Sequence, residues 1–250
     1  MAPAPRLRVL GAFQLLVADR PADLPWQAQR VLGLLAVRGS AQARSTVAGT
    51  LWADLPQARA QANLRNALWK IRAAGGVVVH ATRPAVALDA DLVVDLVDAR
   101  RCAHARLCDG AGAPGRDTID ALDRDLLPGW DEEWLVIDRE RQRQLRLHAL
   151  EALSADFCRR QRFPEAIAAA LAAVRAEPLR ETAQQALITA YVGEGNVSEA
   201  VRQLAAYRTL LRDELRIAPG PQVEAIVVSA LRARGESSRP HWGPRTAHLR

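Results

Sequence analysis

Residues 56 to 74, Pro-Gln-Ala-Arg-Ala-Gln-Ala-Asn-Leu-Arg-Asn-Ala-Leu-Trp-Lys-Ile-Arg-Ala-Ala, place apolar side chains at Ala60, Leu64, Leu68 and Ile71. That spacing of i, i+4, i+8 and i+11 is a helical stripe able to face a core, and Pro56 stands where a first turn tolerates it. At about 100° per residue, Arg59, Ala62, Asn66 and Trp69 point away from the stripe, with Arg65 and Lys70 on its flanks. Arginine and asparagine can pair bidentately with guanine and adenine edges, and a flanking lysine suits a phosphate. Ala62 and Ala73 keep the face flat enough to enter a groove. The stretch meets the requirements of a helix that reads nucleic acid.

Charge is distributed to match. The chain of 250 residues carries a net +6, but residues 38–83 hold six Arg and one Lys against Asp54 alone. Residues 84–136 reverse the sign, with five Arg against ten Asp and two Glu. The basic helix lies in the basic window, and the reversal falls where a domain boundary is expected. Lys70 is the one lysine of the chain. Because it follows Trp69 and not Gly, it excludes a phosphate-binding loop of the G-x-x-x-x-G-K-[ST] type, and its exposed helical position disfavours Schiff-base chemistry.

Outward from the helix, Leu7–Leu10 and Phe13–Val17 read as short strands broken by Gly11, followed by a turn through Asp19–Asp23. Trp26–Val37 reads as a largely buried helix stopped at Gly39, and Ser45 as the cap of a two-turn helix ending at Trp52. Gly75-Gly76 stops the basic helix. Val77–Val79 and Val86–Leu88, either side of Arg83-Pro84, then form a hairpin. The order of strands, three helices and hairpin is that of a winged helix-turn-helix of the response-regulator effector type, in which the third helix enters the major groove and the wing touches the neighbouring backbone.

Beyond Asp89 the chain is acidic. Asp95–Leu107 reads as a helix opening a second domain, Gly110–Gly115 as a loop, and the region from Trp130 as helices parted near Phe163-Pro164, Glu177-Pro178, Gly195-Asn196 and Pro219–Pro221. Glu165-Ala166-Ile167 recurs as Glu199-Ala200-Val201 and Phe157 as Tyr191, 34 residues on. That is the period of tetratricopeptide repeats, whose helix pairs bury Ala against larger residues and stack into a protein-binding surface.

Arg30-Val31-Leu32-Gly33-Leu34-Leu35, Leu51-Trp52 and Ala60–Arg72 resemble the bacterial transcriptional activators related to the antibiotic regulatory proteins of actinobacteria. Pro178-Leu179-Arg180-Glu181, Ala190-Tyr191 and Asp213-Glu214-Leu215 resemble that family's helical-repeat activation domain. The likeness covers roughly residues 7–231. The wing departs from the family pattern, with Pro84-Ala85-Val86 where a Gly-Gly-aromatic step is usual. The resemblance implies binding to direct repeats of double-stranded DNA as a homodimer, recruitment of RNA polymerase, and a repeat domain serving dimerisation or effector sensing.

Other constellations point to no chemistry. Cys102, His104 and Cys108 match no common zinc spacing, and Asp120, Asp123, Asp125, Asp131, Glu132 and Glu133 read as a solvated charge run. No G-x-S-x-G, H-E-x-x-H or dinucleotide-binding G-x-G-x-x-G exists. No catalytic residue, cofactor or metal is expected. Three unpaired-looking cysteines and an N-terminus without a secretory pattern indicate a reduced, cytoplasmic protein, and Val31–Val37 is far short of the roughly 18 apolar residues of a membrane span.

The expected architecture is multidomain and mainly α: a winged helix-turn-helix over residues 1–94, an all-α tetratricopeptide-like activation domain over 95–232, and a disordered tail over 233–250. Arg59, Arg65, Asn66 and Trp69 are the candidate base-facing residues, and Arg44, Lys70, Arg72 and Arg83 the candidate phosphate contacts. Trp69 either faces a base or covers a neighbouring element. The function expected is sequence-specific transcriptional regulation, an activator by resemblance. The rival is a protein-interaction adaptor whose winged helix no longer binds DNA, motivated by the altered wing.

Overall fold

A computed structural model describes residues 3–75, 77–108 and 116–237. The loop Gly110–Gly115, Gly76, the Cys108 side chain and the tail from residue 238 lie outside the described residues. The chain divides into two compact units, Met1–Ala149 and Leu150–Arg250. Among the described residues no helix is long and apolar enough to cross a membrane.

The first unit opens with β1 (Arg6–Arg8), β2 (Gln14–Val17) and β3 (Arg20–Pro21), a meander in which Leu7 faces Leu15. Three helices follow: α1 (Trp26–Arg38), α2 (Arg44–Leu51) and α3 (Gln57–Ala73), with β4 (Gln42–Ala43) between the first two. A hairpin of β5 (Val79–Ala81) and β6 (Ala85–Leu88) comes next, and β4 pairs with β6 to make a three-stranded sheet. β7 (Val93–Val94) returns to pair in parallel with β1, closing a four-stranded sheet of order β3-β2-β1-β7. The core joins these layers: Val31, Leu32, Leu34 and Leu35 of α1 lie with Leu64 and Ile71 of α3 and with Leu7 and Leu15 of the sheet.

Two-residue strands β3, β4 and β7 carry too little sequence to show a period of two, so only their partners define them. β4 also moves a helix start. The sequence expects Ser45 to cap α2, but the cap position is Ala43, with no side-chain cap, and Ser45 is exposed. Ala43 is held in the sheet against Ala85, and the Arg44 amide donates to the Pro84 carbonyl at 3.0 Å. The sheet thus takes one of the amides that a helix start leaves unpaired, and no side chain caps the next two.

The sequence boundary at 94/95 does not coincide with the division into compact units. The helix α4 (Asp95–Cys108) begins with a carboxylate that accepts from the amides of Val9 and Leu10 at 2.9 and 3.1 Å. Burial raises the Asp95 pKa, and those amide bonds act against the shift. After α5 (Arg116–Leu122), residues 125–127 run antiparallel to residues 9–11, with Gly11 N to Asp125 O and Leu127 N to Val9 O both 2.8 Å. Leu96, Ala99, Leu126, Leu127, Trp130 and Leu135 belong to the same core as Leu7 and Leu64. Trp130 lies edge-on to Trp26 at 4.6 Å, and Gly33 of α1 makes room for its ring. Arg139, on α6 (Val136–Arg159), holds the segment by donating to the carbonyls of Leu126, Leu127 and Trp130.

The acidic run is not uniformly solvated. Asp120, Asp123, Asp125, Asp131 and Glu133 are exposed, but Glu132 is half-buried, paired with Arg30, and accepts Trp134 Nε1 at 2.8 Å.

In the second unit α6 ends and α7 (Phe163–Ala176), α8 (Glu181–Gly193), α9 (Val197–Leu215) and α10 (Pro221–Ser237) follow. Phe163-Pro164, read as a turn, begins α7 instead, since a proline is tolerated in a first helical turn. The residues before it make the turn. The 34-residue offset extends to backbone geometry. α6 ends at Arg159 and α8 at Gly193; α7 starts at Phe163 and α9 at Val197. Gln161 and Gly195 both have positive φ, at 58° and 85°. Arg162 N reaches Phe157 O at 2.9 Å as Asn196 N reaches Tyr191 O at 2.8 Å. Ala166 and Ala200 are fully buried, where a larger side chain would part the helices. Residues 233–237, expected in the tail, continue α10, which runs to Ser237.

Candidate nucleic-acid interface

The chain enters α3 through a turn in which Leu55 N bonds Trp52 O, and Pro56 accepts from the amides of Arg59 and Ala60. Its missing N–H costs nothing at that position. Ala60, Leu64, Ala67, Leu68 and Ile71 are buried, so the apolar stripe faces the core as its spacing requires. The opposite side carries Arg59, Arg65, Asn66, Trp69, Lys70 and Arg72, all exposed. Gly75, at φ 98°, ends the helix with its amide on Arg72 O. Lys70 and Arg72 sit in the last turn, where the helix dipole also favours cations.

Trp69 is 61% exposed. Lys70 Nζ lies 4.9 Å from the centre of its ring. At an exposed site such a contact is worth about 0.5–1 kcal/mol.

The hairpin brings a second set of cations alongside. Arg44, at the start of α2, donates through its backbone to Pro84 O and through Nη1 to Thr82 O at 3.4 Å, so its side chain follows the hairpin turn. Thr82 Oγ1 accepts from Ala85 N at 3.2 Å and fixes that turn, leaving Arg83 exposed at its tip. A groove of about 240 Å³ between α3 and the hairpin is lined by Arg44, Arg65, Leu68, Trp69, Arg72 and Ala81. Four of the eight residues expected from the sequence therefore meet at one groove. Arg59, Asn66, Lys70 and Arg83 do not line it.

Among the described residues no carboxylate pairs with Arg44, Arg59, Arg65, Lys70, Arg72 or Arg83, whereas Arg30 and Arg146, elsewhere in the same unit, are paired with Glu132 and Asp125. Ser45 and Thr46, not among the sequence-derived candidates, are exposed in the uncapped first turn of α2 beside Arg44. His80, likewise not among them, pairs with Asp89 across the base of the hairpin.

This arrangement, a helix with a polar cationic face beside a cationic hairpin and followed by paired helices, has known relatives. The chain belongs to the bacterial transcriptional activator domain family, whose model matches residues 88–229. It is similar to the regulatory protein AfsR of Streptomyces griseus, with 29% identity over 96% of this chain. The chain spans 26% of that protein's length. Its fold is similar to that of Mycobacterium tuberculosis EmbR, solved in complex with a low affinity phosphopeptide, with a TM-score of 0.66 and 22% identity over 92% of this chain and 65% of the other. The matched region begins at Leu88, ahead of β7 and α4, and so includes elements that pack in the first compact unit.

Proposed function

We propose that the protein is a sequence-specific DNA-binding transcriptional activator whose residues 1–94 form a winged helix-turn-helix. In this reading α3 enters the major groove, with Arg59, Arg65, Asn66 and Trp69 toward base edges. Arg44, Lys70, Arg72 and Arg83 hold phosphates on either side, Arg44 together with the uncapped N-terminus of α2. The activation domain of residues 95–232, through its helical repeats, serves homodimerisation on DNA, effector sensing or polymerase contact. The protein acts in the cytoplasm and catalyses no reaction. The observation that carries the reading is the groove between α3 and the hairpin, where Arg44, Arg65 and Arg72 converge around an exposed indole without a carboxylate partner.

Binding of the purified chain to its own upstream DNA and to scrambled DNA, across a salt series and with Arg65→Ala in parallel, tests it. A sequence preference that the substitution removes is the expected result. Equal, salt-sensitive binding to both DNAs would reduce the face to a basic patch, and no binding would favour the adaptor reading.

A further inference from the structure

Away from the α3 face, the first unit holds a second cluster of guanidinium groups. Arg38 at the end of α1, Arg100 and His104 on α4, and Arg141 on α6 line a cleft of about 490 Å³. One carboxylate, Asp138, lies on its walls, and it does not satisfy them. Arg38 Nη1 stands 3.6 Å and Arg141 Nη1 3.9 Å from its oxygens, both longer than a hydrogen bond. Among the described residues neither guanidinium makes any hydrogen bond, and each presents five N–H groups in a planar fork. Arg100 uses Nη1 on Val37 O at 3.0 Å and Nε on Gln142 at 3.2 Å, leaving its third nitrogen. Burial lowers its pKa, so an arriving anion would relieve a cation that desolvation disfavours.

Three guanidinium groups against one carboxylate leave the cleft short of negative charge. Forked donors converging from three helices suit the tetrahedral oxygens of a phosphoryl group. The volume lies in the range of roughly 300–1,000 Å³ typical of small-molecule sites, larger than an inorganic ion needs. An adjoining cleft shares Arg38, Asp138 and Arg141 but is lined by Asp54, Asp131 and Glu133, which repel an anion. That repulsion confines a negative group to the α4 side.

We propose that this cleft binds a small phosphorylated organic anion, its phosphoryl oxygens held by Arg38, Arg100 and Arg141. It would sit at the end of α1, the helix that packs against α3, and is separate from the DNA-facing surface.

Calorimetric titration of the full chain with inorganic pyrophosphate, beside thermal melts, tests the assignment. Binding should raise the melting midpoint. Arg141→Ala, at a side chain 75% exposed and therefore dispensable for folding, should weaken binding by roughly tenfold or more, the usual size of a lost charge-assisted hydrogen bond. Arg38→Ala should do the same. The paired substitution Arg65→Ala with Arg72→Ala should leave pyrophosphate binding intact while impairing DNA binding, and Arg141→Ala should do the reverse. No binding at millimolar pyrophosphate overturns the proposal. Loss in the Arg65/Arg72 variant with retention in Arg141→Ala would move the anion to the DNA face, and equal losses in both would make it nonspecific charge attraction; either result overturns it.

Discussion

A fragment ending at residue 94, the boundary that charge and pattern place on the winged helix, should fail to fold, whereas one ending at residue 149 should fold. Cutting at 94 removes Leu96, Leu126, Leu127, Trp130 and Leu135 from the core, all buried beside Leu7, Leu32 and Leu64. At about 1.5–3 kcal/mol for each large side chain, the loss is roughly 8–15 kcal/mol, an upper estimate because the denatured chain already buries some of this surface. The amides of Val9 and Leu10 also lose the Asp95 carboxylate, Gly11 N loses Asp125 O, and Arg30 loses Glu132. Domains of this size are stable by about 5–15 kcal/mol in total, so the deficit consumes the whole margin. Thermal melts followed by circular dichroism should give a cooperative transition for residues 1–149 and none for 1–94. A cooperative melt of the shorter fragment, with a midpoint within about 5 °C of the longer one, would refute the reasoning, since that shift corresponds to about 1 kcal/mol.

Further outcomes follow from individual residues. Arg65→Ala should weaken specific DNA binding by about 1–3 kcal/mol in a mobility-shift titration, whereas Arg83→Ala should weaken all sequences alike and lower the salt slope by about one. Gly33→Ala places a Cβ 2.8 Å from the Trp130 ring, and should cost about 1–3 kcal/mol in urea unfolding; an unchanged midpoint would mean that the ring moves freely. Gln161→Gly removes a side chain from a left-handed position, φ 58°, whose repeat counterpart is already Gly195, and should stabilise the second unit by up to about 1 kcal/mol. Asp95 is half-buried, and that burial raises its pKa, so the native state keeps this proton where the unfolded chain has released it. Its contribution to stability is therefore present at low pH and falls as pH rises from the ordinary aspartate value through the raised one. The stability difference between the parent chain and Asp95→Asn, measured by denaturant unfolding at several pH values, should shift against the parent over that window; a pH-independent difference would contradict the burial effect.

What was legible in the sequence was what repeats over short distances. α3 shows itself because Ala60, Leu64, Leu68 and Ile71 recur within four turns, and the second unit because 34-residue spacing carries Ala166 to Ala200. The exposed face of α3 follows from the same arithmetic. What was hidden depends on partners remote in the chain. Glu132 is unremarkable until Arg30, 102 residues earlier, lies against it; Asp95 reads as the start of a helix until Val9 and Leu10 present their amides. Ser45 reads as a cap because nothing nearby shows that Pro84 supplies the partner for the Arg44 amide. The groove at α3 could not be read from α3 alone, since Arg44 reaches it only through the hairpin.

The reversal of charge sign at residue 84 takes on a different meaning once these pairings are known. As a linear pattern it suggests a boundary between a basic and an acidic domain. In the folded unit the acidic segment packs on the basic one, which could have neutralised the α3 face. It leaves the arginines there without a carboxylate, because Glu132 is directed to Arg30 and Asp125 to Arg146, as Asp138 beyond the segment lies toward Arg38, while Asp89 meets only His80 at the base of the hairpin. Arg30, Arg38 and Arg146 lie on α1 or α6, and none on α3 or the hairpin. Opposite charges are thus separated within one unit rather than between two. Surface charges farther apart than about 10 Å are screened at ordinary ionic strength, so a local cluster without carboxylate partners sets the field that a phosphate backbone meets, whatever the net charge of the chain. On this account Asp125→Ala or Glu133→Ala should leave DNA affinity almost unchanged, whereas Gln61→Glu, which sets a carboxylate on α3 one turn before Arg65, should weaken it for every sequence.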